Sequence, residues 1–292
     1  MSELDASQRS FPELAASLRA KLHRYCARMA GSAIEGEDIV QDALLKALEA
    51  YPRSGTIANP EAWLFRIAHN TALDAIRHRS RRLSVPLDEA DLPDGEDEVQ
   101  RREIAAMGLR PFMKLSPSER GSVILKDVVG YSLQEIAGIL GTTLPAVKAA
   151  LHRGRGRLAG LGAAAIDPAS IELSAEERRL LERYADRFNA RDFDAVRDML
   201  AESVRLDLVG VTAVRGRGTV AARYLGNYGR ARDWHFDVGT IDGRPALVVH
   251  DPATPGTPTH VVLLTWTDGR VSGIRDFYHA RYIVQGAAIV LS

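Results

Sequence analysis

Ser132–Leu158, SLQEIAGILGTTLPAVKAALHRGRGRL, is the stretch from which the rest of the chain can be read. Ser132 followed three residues later by Glu135 is a capping box, which predicts a helix start there. Ile136, Ile139 and Leu140 give that helix one apolar face. Gly141 supplies a bend, because a residue without Cβ takes positive φ at little cost. Thr142 or Thr143 caps a second helix, with Pro145 tolerated in its first turn. Leu144, Val147, Leu151 and Leu158 fall on one stripe of that helix, and Lys148, His152, Arg153, Arg155 and Arg157 fall off it. This is the pattern of a helix-turn-helix. The apolar side docks on the partner helix, while the basic side neutralises phosphates and polar side chains reach base edges. A solvated basic face on an ordinary amphipathic helix gives the same pattern, so a second signal is needed.

That signal lies upstream. Asn59-Pro60-Glu61 opens a helix with Pro60 in the favoured first position, and the helix reads AWLFRIAHNTALDAIRHRSRR through Arg82. Trp63 and Phe65 with the later arginines form an aromatic-plus-basic surface suited to single-stranded DNA, where bases stack on rings and cations track the backbone. Trp63 and Ile67, four apart, fit a core equally well. Arg77, His78, Arg79, Arg81 and Arg82 read as an anion-facing surface. Before them, Leu14, Leu18, Leu22 and Tyr25 predict a helix over residues 11–30. After a Gly31–Glu37 break comes EDIVQDALLKALEA (37–50). Here Ile39, Ala43, Leu44, Ala47 and Leu48 form the expected buried side, and Glu37, Asp38, Gln41 and Asp42 an acidic edge. Tyr51–Pro60 is a loop by composition.

The 292 residues suffice for two or three domains. The net charge is zero, but it is segregated: five Arg against one Asp over 62–82, seven Lys/Arg against three acids over 111–160, and seven acids with no base over 88–98. Such segregation suggests basic DNA-facing modules tied by an acidic tether. No apolar run approaches the roughly 18 residues of a membrane span. Residues 1–18 carry no signal-peptide pattern, and Cys26 is the sole cysteine, so a cytoplasmic protein without an internal disulfide is expected.

These modules together resemble an extracytoplasmic-function (ECF) sigma factor of the sigma-70 family. EDIVQDALLKALEA resembles that family's core-polymerase-binding helix. NPEAWLFRIAHNTALDAIRHRSRR, with its Asn70, Asp74, Arg77 pattern, resembles the promoter-melting and −10-reading helix. LSPSERGSVILKDVVGYSLQEIAGILGTTLPAVKAALHRGRGRL (115–158) resembles the −35-reading domain. The resemblance implies that Asp38, Gln41 and Asp42 face the clamp helices of RNA polymerase, and that Trp63, Arg66, Asn70, Arg77 and Arg81 handle the −10 strand. It places a flipped −10 base in the Tyr51–Asn59 loop. Thr143, Lys148, His152, Arg153 and Arg155 would meet the −35 major groove. Pro145 departs from the small or polar residue usual there. Residues 1–82 would be sigma region 2, 83–107 an acidic linker threading the polymerase channel, and 108–162 sigma region 4, entered through a second capping box at Ser116 and Glu119.

Gly160–Pro168 reads as a hinge, and the texture then changes. Ser174 with Glu177 caps a helix carrying Leu180, Leu181, Tyr184 and Phe188, and Asp192 starts another. Strand-like runs follow at 204–210, 234–242, 246–251, 260–268 and 270–279, with a helix around Gly218–Tyr224 and Asp268-Gly269 as a hairpin turn. The order predicts an α+β domain over 163–292 with a curled antiparallel sheet. It resembles the SnoaL-like (nuclear-transport-factor-2-like) superfamily, with DGRVSGIRDFYHARYIV as the best local match. That resemblance implies a cone with an internal pocket, for which Asp207, Tyr224, Trp234, His250, Trp266, Arg275, Asp276 and Tyr278 are candidates. Alternatively, the aromatics fill the cone and Asp276 pairs with Arg275 or another cation. The eight histidines lack metal-ligand spacing such as HxxxH with a carboxylate, and no cofactor is implied.

The chain is therefore multidomain: two all-α DNA- and polymerase-binding domains, then a SnoaL-like regulatory domain. The expected function is a non-enzymatic sigma factor that directs promoter recognition and transcription initiation. Its partners would be core RNA polymerase and promoter DNA, with the C-terminal domain contacting the sigma domains in cis and open to a small-molecule ligand. A SnoaL-like isomerase, hydrolase or ligand sensor fused to a DNA-binding module, and a plain helix-turn-helix repressor, are the alternatives.

Overall fold

Three capping boxes start three helices where serine–glutamate spacing predicts them. In the computed structural model, Ser116, Ser132 and Ser174 each accept from the backbone N–H three residues on, and Glu119, Glu135 and Glu177 reach back to the cap N–H. The structure describes residues 11–55, 57–80, 103–105, 107–161, 173–231, 234–254 and 256–292. The acidic run 88–98, the hinge at 162–168, Arg81 and Arg82 lie outside them. The chain divides into two compact units, Met1–Asp167 and Pro168–Ser292.

The first unit is helical. Helices α1 (Phe11–Ala30), α2 (Ala33–Ala50) and α3 (Pro60–Ser80) precede α4 (Pro117–Val123), which continues as a wider turn over Ile124–Val129. Then come α5 (Leu133–Leu140) and α6 (Leu144–Gly160). The break before α2 is shorter than expected, because Ser32 caps it and the helix begins at Ala33. At Gly36 a Cβ would lie 2.5 Å from the Ala27 backbone, so α1 and α2 approach as only glycine permits. Gly141 takes φ +65 between α5 and α6, and Thr143, not Thr142, caps α6 by accepting from Ala146 N–H.

The residues of α1–α3 and α4–α6 share one core, which runs from Leu22, Tyr25 and Phe65 through Phe112, Leu125 and Ile136 to Val147 and Leu158. The two halves are cross-tied by buried arginines on carbonyls. Arg120 donates to Met29 O at 2.6 Å and Leu115 O at 2.9 Å, and Arg28 donates to Ala105 O at 3.2 Å. Both are held down to about 10 mainly by burial and stay charged at neutral pH. Tyr131 adds a latch: its ring meets Phe65 edge-on at 5.2 Å, its hydroxyl donates to Glu61, and Lys21 lies 4.6 Å over its face.

The second unit opens with α7 (Ala175–Asn189) and α8 (Phe193–Met199), capped by Asp192. Strands β1 (Leu200–Leu208) and β2 (Thr212–Arg215) follow, then a helical stretch through Arg217–Val220, Ala221–Leu225 and Gly226–Arg230. Strands β3 (His235–Ile241), β4 (Arg244–His250), β5 (Pro258–Thr267), β6 (Arg270–Asp276) and β7 (Ile289–Leu291) complete the unit. The sheet order is β2-β1-β6-β5-β4-β3-β7. The expected antiparallel sheet is corrected at one place: β1 and β6 run parallel, because the chain leaves β1 by way of β2 and the helices and returns beside it only at β6. Asp242-Gly243 and Asp268-Gly269 turn β3 into β4 and β5 into β6, all four residues at positive φ. Phe188 of α7 packs among Tyr224, Tyr228, Trp234 and Phe236 on one face of the sheet.

Candidate functional sites

Helix α2 presents a ridge. Asp38 and Asp42 are exposed and Gln41 half-exposed. Leu45 and Leu48 stand 60% and 52% exposed one and two turns on. Two sequence expectations are corrected here. Leu48 leaves the core because it stands with Leu45 on the outer face of α2, off the buried stripe of Ile39, Ala43 and Ala47. Glu37 leaves the acidic edge: it is fully buried and takes the Arg19 guanidinium. The ridge is thus acidic at one end and apolar at the other.

Helix α3 carries a polar stripe. Arg66, Asn70, Asp74 and Arg77, with His78, are exposed at helical spacing. Trp63 is half-buried, 6.2 Å from the Tyr51 ring. Phe65 is fully buried between Tyr25 and Tyr131 and offers no base a stacking face. Arg79 turns back to Glu35 at 2.6 Å and Ala30 O at 2.9 Å. His69 hydrogen-bonds Tyr25 at 2.7 Å, and burial, then the Arg77 charge, push it down to about 4.

On α6 the cations divide. Thr142, Thr143, Ala146, Lys148 and Ala149 face outward, with His152 half-exposed. Arg155 forms a two-pronged ion pair with the buried Asp127, Nη2–Oδ1 at 2.7 Å and Nε–Oδ2 at 3.1 Å. Arg153 and Arg157 both meet Glu119, at 3.2 and 2.7 Å. Glu119 thereby serves the α4 capping box and two arginines at once. These pairs hold α6 on α4, a use of the arginine series that side-chain spacing alone does not distinguish from groove contact.

The second unit holds a cavity of about 270 Å³. Of the sequence candidates, Tyr224, Trp234, Asp276 and Tyr278 line it, while Asp207, His250, Trp266 and Arg275 do not. Arg275 pairs with Asp207 at 3.4 Å and not with Asp276, which instead has His260 Nε2 at 3.8 Å. Sequence reasoning missed Tyr228, His260 and Arg281. Strand alternation could have flagged His260, which sits opposite Val249 in the β4–β5 ladder.

Hydrogen-bond direction can be followed through this site. Thr259 Oγ1 lies 2.9 Å from Val249 O and 2.9 Å from His260 Nδ1. A carbonyl only accepts, so the Thr259 proton goes to Val249 and His260 Nδ1 carries the proton it donates to Thr259. In a neutral His260, Nε2 is then bare and accepts from Tyr228 Oη at 2.9 Å. Tyr228 Oη lies 2.8 Å from Asp276 Oδ2 and donates to it when that carboxyl is ionised; when the Tyr228 proton goes to a neutral His260, the contact takes its proton from Asp276. The same protons could form an imidazolium and a carboxylate. Burial opposes both charges: it raises Asp276 above the usual carboxylate range, and together with Arg281 and His279 pushes His260 down to about 3. Asp276 Oδ1 accepts from Tyr278 N–H at 2.7 Å. The Tyr224 hydroxyl is near enough to Asp276 to influence its ionisation, yet no hydrogen bond of good geometry joins them and it is left unpaired. No group of three or more metal-ligating side chains is placed to hold an ion among the described residues. No described helix is long and apolar enough to cross a membrane.

Two family models match the helical unit: Sigma-70 region 2 over residues 14–82 and Sigma-70, region 4 over residues 112–158. The chain is 31% identical over 214 residues to the ECF RNA polymerase sigma factor SigG of Mycobacterium tuberculosis, which covers 64% of this chain and 58% of that protein. It thus spans under two thirds of the length of SigG. It is 30% identical over 162 residues to the RNA polymerase sigma factor CarQ of Myxococcus xanthus, covering 53% of this chain and 90% of CarQ. Among solved structures, a putative ketosteroid isomerase from Kribbella flavida matches 35% of this chain and 76% of its own, at 27% identity and a TM-score of 0.27. With nine tenths of CarQ covered, 76% of the ECF RNA polymerase sigma factor SigM of Mycobacterium tuberculosis covered at 30% identity, and both sigma regions matched in order, the chain belongs to the RNA polymerase sigma factors of the ECF type.

Proposed function

We propose that the chain is a promoter-recognising, non-enzymatic subunit of RNA polymerase, and that its second unit modulates this activity in cis. The observation that carries the reading is the exposed ridge Asp38, Gln41, Asp42, Leu45 and Leu48 on α2, beside a separate polar stripe on α3. A repressor that only binds DNA needs no such ridge. Its carboxylates suit basic side chains on a partner, and its two leucines suit an apolar anchor. Arg66, Asn70 and Arg77 would handle the −10 strand, with the exposed edge of Trp63. Arg81 is assigned to the same strand by the sequence resemblance alone. At the −35 groove, Thr143, Lys148 and His152 would make the outward contacts, while Arg153 and Arg155 act mainly by holding α6 in place.

The two halves of the first unit share a core in the free chain, so engaging two separated promoter elements requires them to part. The second unit, with its own core, would bias that opening through contact with the helical unit.

The test is run-off transcription with core polymerase. Asp38→Ala/Asp42→Ala/Leu45→Ala should lose polymerase pull-down and transcript together while the helical fold remains. Retained pull-down would remove the ridge from the reading. Truncation after Asp167 should change promoter activity; unchanged output would remove the regulatory claim. Saturable turnover of a small substrate, lost in Asp276→Asn, would favour the enzyme alternative.

A further inference from the structure

The cavity of the second unit has a chemistry that no sigma-factor function requires. Its walls are the rings of Tyr224, Tyr228, Trp234 and Tyr278, with Leu208 of β1. Trp234 is held in place by its N–H, which donates to Tyr228 O at 3.0 Å. Tyr228, His260, Thr259 and Asp276 spend their protons on one another and on Val249 O. That leaves one buried hydroxyl in the wall without a hydrogen bond of good geometry, that of Tyr224, on a residue only 2% exposed. An unpaired buried hydroxyl costs free energy, and an acceptor brought by a ligand removes that cost.

We propose that this cavity binds a small, single-ring molecule that carries a carbonyl oxygen and no positive charge. The size follows from the volume: about 270 Å³ lies just below the range of roughly 300–1,000 Å³ of drug-sized pockets, which leaves room for one ring and a short substituent. Flat aromatic walls favour a planar ring by offset or edge contacts. The ligand's oxygen serves as an acceptor, because the Tyr224 proton has no acceptor of good geometry in the wall, where Asp276 and Tyr228 satisfy each other. A cation gains nothing from this wall: the relay is neutral as a whole, and the one carboxylate outside it, Asp251, is offset by Arg281, stacked 4.7 Å over Tyr278. The inference rests on the cavity and not on the promoter reading, so either can fail without the other.

The experiment uses the full chain and three probes of matched size: acetophenone, ethylbenzene and benzylamine. Binding is followed by protein-observed NMR titration. Acetophenone should bind about five- to tenfold more tightly than ethylbenzene, the worth of one neutral hydrogen bond, and benzylamine more weakly than acetophenone. Tyr224→Phe should erase the difference between the first two while leaving ethylbenzene binding unchanged. Leu208→Trp, which fills the cavity from β1, should abolish binding of all three with the circular dichroism spectrum intact. Equal binding of acetophenone and ethylbenzene by the wild-type chain overturns the proposal. So does a preference that survives Tyr224→Phe, tighter binding of benzylamine, or no saturable binding of any probe.

Discussion

Asp276 carries its meaning in a single proton. If it is a neutral acid that donates to Tyr228, asparagine is its near-isostere: the amide N–H₂ donates to Tyr228 and the amide oxygen accepts from Tyr278 N–H. Asp276→Asn should then stay within about 1 kcal/mol of wild type near neutral pH, whereas Asp276→Ala, which strands both partners, should cost roughly 1–3 kcal/mol. The pH dependence has a definite sign. A carboxyl raised above its unfolded value makes the folded state bind the extra proton, so its stabilisation is complete below the unfolded pKa and is lost as pH rises through the folded one. The urea midpoint of Asp276→Asn should therefore gain on wild type as pH rises from about 4 toward 8. A gap that stays constant would mean that Asp276 is ionised throughout. On α6, Lys148 and Arg155 separate binding from folding in the same way. Lys148→Ala should leave the melting temperature within a degree or two and lower the salt dependence of promoter binding by about one counterion. Arg155→Ala leaves Asp127 buried and unpaired and should cost roughly 3–5 kcal/mol of helical-unit stability. Arg155→Ala with an unchanged melting temperature would return that arginine to the groove.

At the level of elements, helix starts were the most legible part of this chain. Ser116, Ser132, Ser174 and Asp192 each cap where local spacing says they should, because a cap is a contact between residues three apart. The sheet was legible strand by strand but not in its order. Nothing local to β1 or β6 states that they lie side by side in parallel, and β2 and β7, at four and three residues, are too short to show alternation. The sites divide along the same line. Arg66, Asn70 and Arg77 fall on an exposed stripe that helical period predicts, whereas Tyr228 and His260 meet 32 residues apart and needed the fold. Gly36 and Tyr131 belong to this scale. Gly36→Ala should destabilise the helical unit by roughly 1–3 kcal/mol, because the added Cβ meets backbone atoms of Ala27 rather than a side chain that can swing away. Tyr131→Ala should loosen the latch between the two halves while leaving each half folded. Spin labels at Glu49→Cys and Ala149→Cys should then show a broader and longer distance distribution. An unaltered distribution would mean that the shared core and Arg120 suffice without the tyrosine.

At the level of the whole chain, two units with separate cores predict two separable unfolding transitions, since each core can melt without exposing the other. Acid should act on both. His69 in the helical unit is pushed down to about 4 and His260 in the second unit to about 3, each mainly by burial, from an ordinary value of 6.5. A depressed histidine binds fewer protons folded than unfolded, so its contribution is fully present above 6.5 and is lost as pH falls through the folded value. Each unit of displacement is worth about 1.4 kcal/mol at most, so of the two histidines His260 has the larger acid-sensitive share, over the wider window. In calorimetric scans from pH 7 down to about 4.5, the helical transition should fall in temperature, whereas in the second unit the loss from His260 runs against the gain from the raised carboxyl of Asp276. Substituting His69→Gln should flatten the response of the helical transition alone, and His260→Gln should remove the loss from the other alone. Each glutamine can keep a hydrogen bond to its tyrosine, so a change of slope reports the lost titration rather than a broken contact. If one substitution flattened both transitions, the two cores would have to unfold as a single cooperative body. Binding at the tyrosine-lined cavity could then reach the helical unit through folding energy alone.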